Sequence, residues 1–229
     1  MKSKELSDYL LQDNDPRLHQ YCDPVVDFAK AKLVVDKLLK VAKDIRENVY
    51  PYPRGIEIAA PQIGEMVRVI VVMGPSTHSW SKAMINPRIM DAKRKFLNWE
   101  DCMSIENMRA QVERFQEVYV KYQTLDEQWH QENITDNAAC DIQHGIDHLD
   151  GKLYFDRNLK YFIPLSIYRP LKDVSEATLN AYVEEHFELF EADRVFSASE
   201  MKKHGLCHPR QCLAKQVASE LKPNPELIQ

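Results

Sequence analysis

Two histidines one helical turn apart, His144 and His148, constrain the fold of this chain more than any other feature of its sequence. They lie in the segment QHGIDHLDG, which covers residues 143–151. Side chains at positions i and i+4 project from one face of an α-helix, so two imidazoles at this spacing can bind one metal ion if the segment is helical. We therefore predict a helix over about residues 134–148 that presents both imidazoles on the same face.

The residue after the first histidine, Gly145, stands where a metallohydrolase usually has a glutamate. In the H-E-x-x-H pattern that glutamate takes a proton from water and returns it to the leaving group. Gly145 has no group that can do so, and glycine inside a helix costs about 1 kcal/mol relative to alanine. We interpret the segment as a metal-binding motif that lacks its usual acid/base.

Size and charge exclude several classes of protein. A chain of 229 residues can form one domain of catalytic size with an appended helical tail. The formal net charge of −5 argues against a nucleic-acid binder with a broad basic surface. The sequence has no apolar run of membrane-spanning length and no secretory core near its start, so we expect no membrane partner and a cytoplasmic location.

The cysteine pattern fits a reducing compartment. The chain has five cysteines at irregular spacing, which is an odd number and not a disulfide framework. A cluster in the tail resembles a second metal site, but Pro209 interrupts the helix that would present it, so we interpret its spacing as coincidental. Its members are His204, Cys207, His208 and Cys212.

Helices are predicted near the start and in the tail. Asp23 provides an N-cap and is followed by Pro24, a combination typical of a helix start. Two further helices are predicted over about residues 176–191 and 198–221. The first helix has apolar residues near helical spacing: Leu33, Leu38, Val41, Ala42 and Ile45.

Three segments show strand patterns. Residues 67–73 form an apolar run typical of a buried strand, and MINPRIM at residues 84–90 is a second short strand candidate. Residues 112–122 alternate between apolar and polar side chains, which is typical of a half-buried strand.

Three motifs in order make the chain resemble the peptide deformylase family over roughly residues 16–158. The family's G-φ-G-φ-A-A-x-Q stands here as GIEIAAPQ at 55–62, its E-G-C-L-S as EDCMS at 100–104, and its Q-H-E-x-D-H-L-x-G as QHGIDHLDG. The resemblance implies an α+β fold with antiparallel strands around a central metal-binding helix. We expect this domain to span residues 1–170, with a helical C-terminal extension over residues 171–229 packed on it.

The resemblance implies a metal site and a reaction. Its ligands would be Cys102, His144 and His148, with a fourth position open to water or substrate. One thiolate and two imidazoles suit Fe²⁺ or Zn²⁺, and Ni²⁺ or Co²⁺ are further options. The family hydrolyses the formyl group from the N-terminal methionine of new peptides, so the expected partner is a formylated or N-acylated peptide or a small-molecule substrate.

The resemblance also assigns roles around the metal. The side-chain amide of Gln62 and the backbone N–H of Met103 are expected to stabilise the developing oxyanion. Glu100 and Arg114 are expected to form a supporting charge pair near the cysteine.

Substrate binding is expected along the first motif. In the family the peptide pairs with this strand by strand addition, which here involves Ile56, Glu57 and Ile58. Arg109 is a candidate to bind the peptide backbone of the substrate.

Two residues depart from the family pattern besides Gly145. Glu57 replaces a glycine. On an extended segment it would share one face with residues 55 and 59, opposite Ile56 and Ile58. Its carboxylate is open to three interpretations: a relocated acid/base, a fourth metal ligand, or a solvated or ion-paired side chain that narrows the pocket. Asp101 replaces the glycine before Cys102, adds negative charge and would disfavour acidic substrates.

Two functions therefore remain open. The first is a divergent metallo-amidase of the deformylase type, with weakened or altered activity on an N-formyl or other N-acyl group. The alternative is a catalytically silent, metal-bearing relative that binds peptides or regulates a partner.

Overall fold

The computed structural model describes residues 5–49, 55–74, 81–157, 159–165 and 176–186. In these ranges the α-helices are α1 (Phe28–Asn48), α2 (Asp136–Leu149) and α3 (Glu176–Glu185). The strands are β1 (Ile56–Ala59), β2 (Val69–Met73), β3 (Ser81–Cys102), β4 (Ile105–Gln123), β5 (Trp129–Thr135) and β6 (Leu159–Pro164). The predicted α+β class is confirmed.

The strands follow one another in the order β1-β2-β3-β4-β5, and β6 pairs with β4. The pairings of β1 with β2, β2 with β3, β4 with β5 and β4 with β6 are all antiparallel. The chain divides into two compact units, the first with residues 1–96 and 114–153 and the second with residues 97–113 and 154–229.

In the first unit, every residue of β2 is buried, as its apolar sequence predicts. Glu57 of β1 lies opposite Val72 of β2, and Ile70 of β2 lies opposite Met84 of β3. Strand side chains alternate between the two faces of a sheet, so this register decides which β1 residues face the helices. Ile56 and Ile58 are buried, whereas Glu57 is half-buried.

Helix α1 begins later than the sequence suggests. Its N-cap is Asp27, whose carboxylate accepts a hydrogen bond from the backbone N–H of Lys30. The predicted start after Asp23 is wrong, because Asp23 forms a parallel bridge with Val67 instead. Of the apolar residues near helical spacing, Leu33 does not belong to the core, since it is 68% exposed. The buried hydrophobic residues of the helix are Ala31, Val34, Val35, Leu38, Ala42 and Ile45.

Helix α2 is the central helix that the resemblance implies. Most of its residues are buried, and the predicted range of about 134–148 agrees with the observed range to within two residues. Its apolar side chains join strand residues in one core cluster. The cluster includes Ile70, Met84, Val118, Val120, Ile142, Ile146 and Leu149.

In the second unit, β6 pairs with the first part of β4, and α3 has a buried face. Leu179, Tyr182 and Val183 form that face. On the same helix, the side-chain oxygen Oδ1 of Asn180 accepts hydrogen bonds from the side chains of Trp99 and Gln111. These contacts tie α3 to the β3–β4 segment of its own unit.

The predicted tail is described only in part. Helix α3 covers the first part of the predicted helix at 176–191. The rest of that helix, the one predicted at 198–221 and the boundary expected near residue 170 lie outside the described residues. No helix in the described ranges is both long enough and apolar enough to cross a membrane.

Candidate metal centre

Helix α2 is fixed to strand β4 by the side chain of Gln143. Its amide oxygen accepts a hydrogen bond from the Phe115 N–H at 3.0 Å, and its NH₂ group donates to the Phe115 carbonyl at 2.8 Å. The NH₂ group also donates to the Ala139 carbonyl at 3.0 Å, one turn earlier in the helix. The two hydrogen bonds to Phe115 fix the rotation of α2 about its axis. They therefore also fix the direction in which the next residue, His144, projects.

A buried ion pair fixes the other end of the histidine segment. The Arg114 guanidinium donates to the Asp147 carboxylate at 2.6 Å, and both side chains are 2% exposed. Asp147 directly precedes His148, so the pair holds the backbone that carries this ligand candidate. The structure thus gives Arg114 a partner that the sequence did not indicate, while its predicted pairing with Glu100 stays a prediction.

The two histidines of α2 meet edge to face, with ring centroids 4.9 Å apart. His148 is buried and His144 is half-buried. Burial holds the pKa of His148 well below its usual range, and the nearby charges of His144 and Arg114 lower it further. His148 is therefore neutral at pH 7, which is the form in which an imidazole binds a metal ion.

Cys102 is the last residue of β3 and is 6% exposed. Its sulfur and the ring nitrogens of His144 and His148 form a group suited to hold a metal ion, because these ligand atoms all lie within 4.8 Å of one another. One thiolate and two imidazoles fit a divalent transition metal, and three protein ligands are typical of a catalytic site with an open position. The structure thus brings together the three predicted ligands.

Glu57 of β1 fills the space beside Gly145. A Cβ atom added to Gly145 would lie 2.3 Å from Oε1 and 2.9 Å from Cδ of Glu57, and 3.1 Å from Cγ2 of Ile70. Real Cβ atoms essentially never approach a heavy atom outside their own and the adjacent residues closer than 3.0 Å. A side chain at position 145 would therefore require the Glu57 carboxylate to move from its observed position.

Gln62 lies in a short 3₁₀ helix, Ala60–Ile63, directly after β1. The residue is buried, and its Oε1 accepts a hydrogen bond from the Ala59 N–H at 2.9 Å. This bond fixes the orientation of the amide, so its NH₂ group is the part that can donate to a substrate. Met103 lies in the turn between β3 and β4. The oxyanion role of both residues stays a prediction.

Arg109 of β4 is directed towards the β3 strand of its own unit. Its guanidinium donates to the Trp99 carbonyl at 2.7 Å and lies 3.5 Å from the Asp101 carboxylate. Because Arg109 is 9% exposed, it is not a solvated surface charge. Arg109 therefore offsets part of the negative charge that Asp101 adds beside Cys102, and its contact with a peptide backbone stays a prediction.

Sequence reasoning missed the supporting contacts of the site. It assigned no role to Gln143 and no partner to Asp147, although both stand next to a predicted ligand. A polar residue beside a metal ligand is a signal for such support, since buried ligands are usually held by further hydrogen bonds. The cluster predicted to be coincidental in the tail, from His204 to Cys212, lies outside the described residues.

Comparisons of the sequence with known proteins agree on one family. The family model described as polypeptide deformylase matches residues 8–161. A peptide deformylase of Desulfotalea psychrophila is 33% identical over 161 residues, which cover 63% of this chain and 95% of that protein.

Solved structures of peptide deformylases share the fold. The crystal structure of the Thermotoga maritima enzyme gives a TM-score of 0.56 at 27% identity and covers 65% of this chain and 95% of that chain. A class I type b enzyme from Acinetobacter baumannii, crystallised with Met-Ala-Ser bound, gives a TM-score of 0.56 at 27% identity. That match covers 69% of this chain and 100% of the other.

Proposed function

Because this chain belongs to the polypeptide deformylase family, we propose that it is a metal-dependent amidohydrolase acting on C–N bonds other than ordinary peptide bonds. Its substrate is an N-formyl group, or another N-acyl group, on a peptide or an amino-acid amine. The observation that carries the proposal is the close approach of the ligand atoms of Cys102, His144 and His148. These are the three residues that the family motifs mark as ligands.

The donor set fits Fe²⁺ or Zn²⁺, with Ni²⁺ or Co²⁺ as alternatives. When bound, such an ion supplies Lewis-acid chemistry, which makes water a stronger nucleophile at neutral pH and polarises the acyl carbonyl. The protein positions the ligands and stabilises the developing negative charge. Gln143 and the Arg114–Asp147 pair hold helix α2 in place, and the NH₂ group of Gln62 with the N–H of Met103 donates to the oxygen that becomes negative.

The peptide part of the substrate binds along strand β1. Among the described strands, β1 pairs with β2 alone, so it stands at one end of the strand order. An extended peptide can add to such an edge through its backbone hydrogen bonds. The buried side chains of Ile56 and Ile58 anchor the strand, and Arg109 binds the peptide backbone.

The bound Met-Ala-Ser of the Acinetobacter baumannii enzyme indicates a first substrate to test. Formyl-Met-Ala-Ser is the same peptide with a formyl group on its N-terminal amine, which is the group that the proposed reaction removes. An N-acetyl version of the same peptide distinguishes a formyl-specific enzyme from one with altered acyl specificity.

A second function is favoured by one observation, which is that helix α2 carries no carboxylate at position 145. Loss of a general acid/base costs about 10²–10⁴-fold in rate. A relative that held its metal and peptide site but lost turnover would be a peptide-binding or regulatory protein.

Release of formate from formyl-Met-Ala-Ser decides between the two. The protein is loaded with Fe²⁺ under reducing, oxygen-free conditions, and Cys102→Ser is the matched variant. We expect turnover by the native protein and a large loss in Cys102→Ser together with lost metal. Binding of the peptide without turnover of either acyl group, at one bound metal ion per chain, would support the regulatory alternative.

A further inference from the structure

The carboxylate missing from helix α2 reappears on the neighbouring strand. The closest atoms to a hypothetical Cβ on Gly145 are Oε1 and Cδ of Glu57, at 2.3 and 2.9 Å. The carboxylate of Glu57 thus lies where the side chain of residue 145 would begin. In the family pattern, position 57 is glycine and position 145 is glutamate, so this chain has the two residue types exchanged.

The fold fixes Glu57 in this place. Its strand is held in register by β2, with Glu57 opposite Val72. The neighbouring side chains Ile56 and Ile58 are buried, so Glu57 cannot turn to the other face without pulling them out of the core. Its Oε1 atom is buried as well.

We propose that Glu57 is the acid/base of this hydrolase and supplies, from strand β1, the carboxylate that helix α2 lacks at Gly145. This inference rests on the proposed function, because it assigns a residue to the same reaction. The ionised carboxylate accepts a proton from the attacking water while the water oxygen bonds to the acyl carbon. The protonated carboxyl group then gives that proton to the amine nitrogen as the C–N bond breaks. One water is consumed, and a carboxylic acid and an amine are released.

The structure argues against Glu57 as a fourth metal ligand and against Glu57 as a solvated side chain. The group of ligand atoms that lie close together among the described residues contains Cys102, His144 and His148, and Glu57 does not belong to it. This argues against a fourth ligand. The burial of Oε1 argues against a side chain that is simply solvated.

A first experiment tests the shared space without any reaction. Gly145→Ala is made in the full-length chain, with Glu57 present and in a Glu57→Gly background, and thermal unfolding is measured without metal. Because alanine favours the helix, although its Cβ would also meet Cγ2 of Ile70 at 3.1 Å, we expect Gly145→Ala to raise Tm by up to about 2–4 °C in the Glu57→Gly background. With Glu57 present we expect no gain, since the new methyl group must displace the carboxylate. An equal gain in both backgrounds would overturn the placement of Glu57.

A second experiment tests the chemistry. Glu57→Gln keeps the shape of the side chain, so we expect it to retain metal and Tm but to lose about 10²–10⁴-fold in the rate of formate release. Glu47→Gln is the control, because Glu47 pairs with Lys43 on the exposed side of α1. The double exchange Glu57→Gly with Gly145→Glu returns the carboxylate to the helix and should recover turnover.

The outcomes separate the two proposals. If the native protein is active and Glu57→Gln changes its rate of formate release by less than about threefold, the role of Glu57 is contradicted and the hydrolase function stands. If the native protein is inactive but the Glu57→Gly, Gly145→Glu double variant is active, the role of Glu57 is again contradicted and the hydrolase function stands. If neither the native protein nor the double exchange turns over with metal bound, the proposed hydrolase function itself is wrong.

Discussion

At the scale of single residues, the buried pair of Arg114 and Asp147 illustrates how support for the site is built into the fold. The two side chains are 2.6 Å apart and almost fully buried. Removing one partner of such a pair leaves an uncompensated buried charge. We predict that Arg114→Ala lowers the free energy of unfolding by about 3–5 kcal/mol, measured by urea denaturation without metal.

Lys32→Ala is the control for that prediction. Lys32 and Asp36 also form an ion pair on α1, at 2.5 Å, but both side chains are more than half exposed. Exposed pairs contribute less than about 1 kcal/mol. If Arg114→Ala costs no more than this control, the pair does not hold α2 in the way described above.

Gly151, two residues after the end of α2, is a second residue on which the site depends. Its φ of +68° lies in the left-handed region, and an added Cβ would lie 2.7–2.8 Å from backbone atoms of His19 and Gln20. Backbone atoms cannot move aside as a side chain can. We predict that Gly151→Ala lowers the free energy of unfolding by about 2 kcal/mol or more, measured by urea denaturation.

Gly55→Ala is the matched control for this substitution. A Cβ on Gly55 would meet only the Met73 carbonyl oxygen, at an ordinary distance of 3.6 Å. Its effect should stay within about 0.5 kcal/mol. Equal effects at the two glycines would show that the close approach at Gly151 is not a constraint.

At the scale of secondary structure, the sequence predicted the strongly periodic elements well. Helix α2 and the buried strand β2 have patterns that local propensity and burial both favour, and their observed limits lie within two residues of the prediction. The hairpin of β3 and β4 was predicted only in its apolar parts. The middle of β3, from Asp91 to Lys95, carries four charged residues, and it shows no strand pattern because only Ala92 is partly buried there.

The start of α1 shows a different limit of sequence reasoning. Asp23-Pro24 and Asp27 both fit the chemistry of a helix start, and only tertiary contacts distinguish them. The backbone of Asp23 is taken up by hydrogen bonds with Met66 and Arg68, so the helix begins after Asp27. Such a contact between distant parts of the chain has no local signal.

Helix α3 gives the element-scale prediction. Leu179 is 1% exposed and belongs to the buried face of α3. We predict that Leu179→Ala lowers the free energy of unfolding by about 2–5 kcal/mol, because it removes buried methyl groups and leaves a cavity. Urea denaturation followed by tryptophan fluorescence measures it, since Trp99 donates a hydrogen bond to Asn180 on the same helix.

Glu185→Ala at the exposed end of α3 is the control and should change stability by about 0.5 kcal/mol or less. Similar small effects for both substitutions would mean that α3 unfolds independently of the rest of its unit.

At the scale of the whole molecule, a metal site predicts a link between binding and stability. A ligand that binds only the folded protein stabilises it by about 2.7 kcal/mol at a free concentration one hundred times its Kd. We predict that Zn²⁺ added to the metal-free protein raises Tm, and that His144→Ala abolishes this rise. Thermal unfolding with and without a chelator measures both.

His130→Ala is the control for metal binding, because His130 is exposed at the start of β5. It should leave the Zn²⁺-dependent rise in Tm unchanged. A rise that survives His144→Ala would place the stabilising metal elsewhere.

The sequence predicted the ligands of the candidate site but left its acid/base open. The helical spacing of His144 and His148 indicates that both can bind one metal ion, and Cys102 is indicated by the resemblance of its motif to that of the deformylase family. The relation of Glu57 to Gly145 has no such signal, because the two residues lie far apart along the chain and meet only through the packing of β1 against α2. Sequence therefore left three interpretations of Glu57, and only the placement of its carboxylate favours one.

The shared space of Glu57 and Gly145 also restricts how such a pair can arise by mutation. A route by single substitutions from glycine at 57 and glutamate at 145 passes through one of two intermediate genotypes. One has two carboxylates that compete for the same space, and the other has none. Reverting either position alone recreates one of these genotypes, so selection for turnover would retain the exchanged pair once it was established.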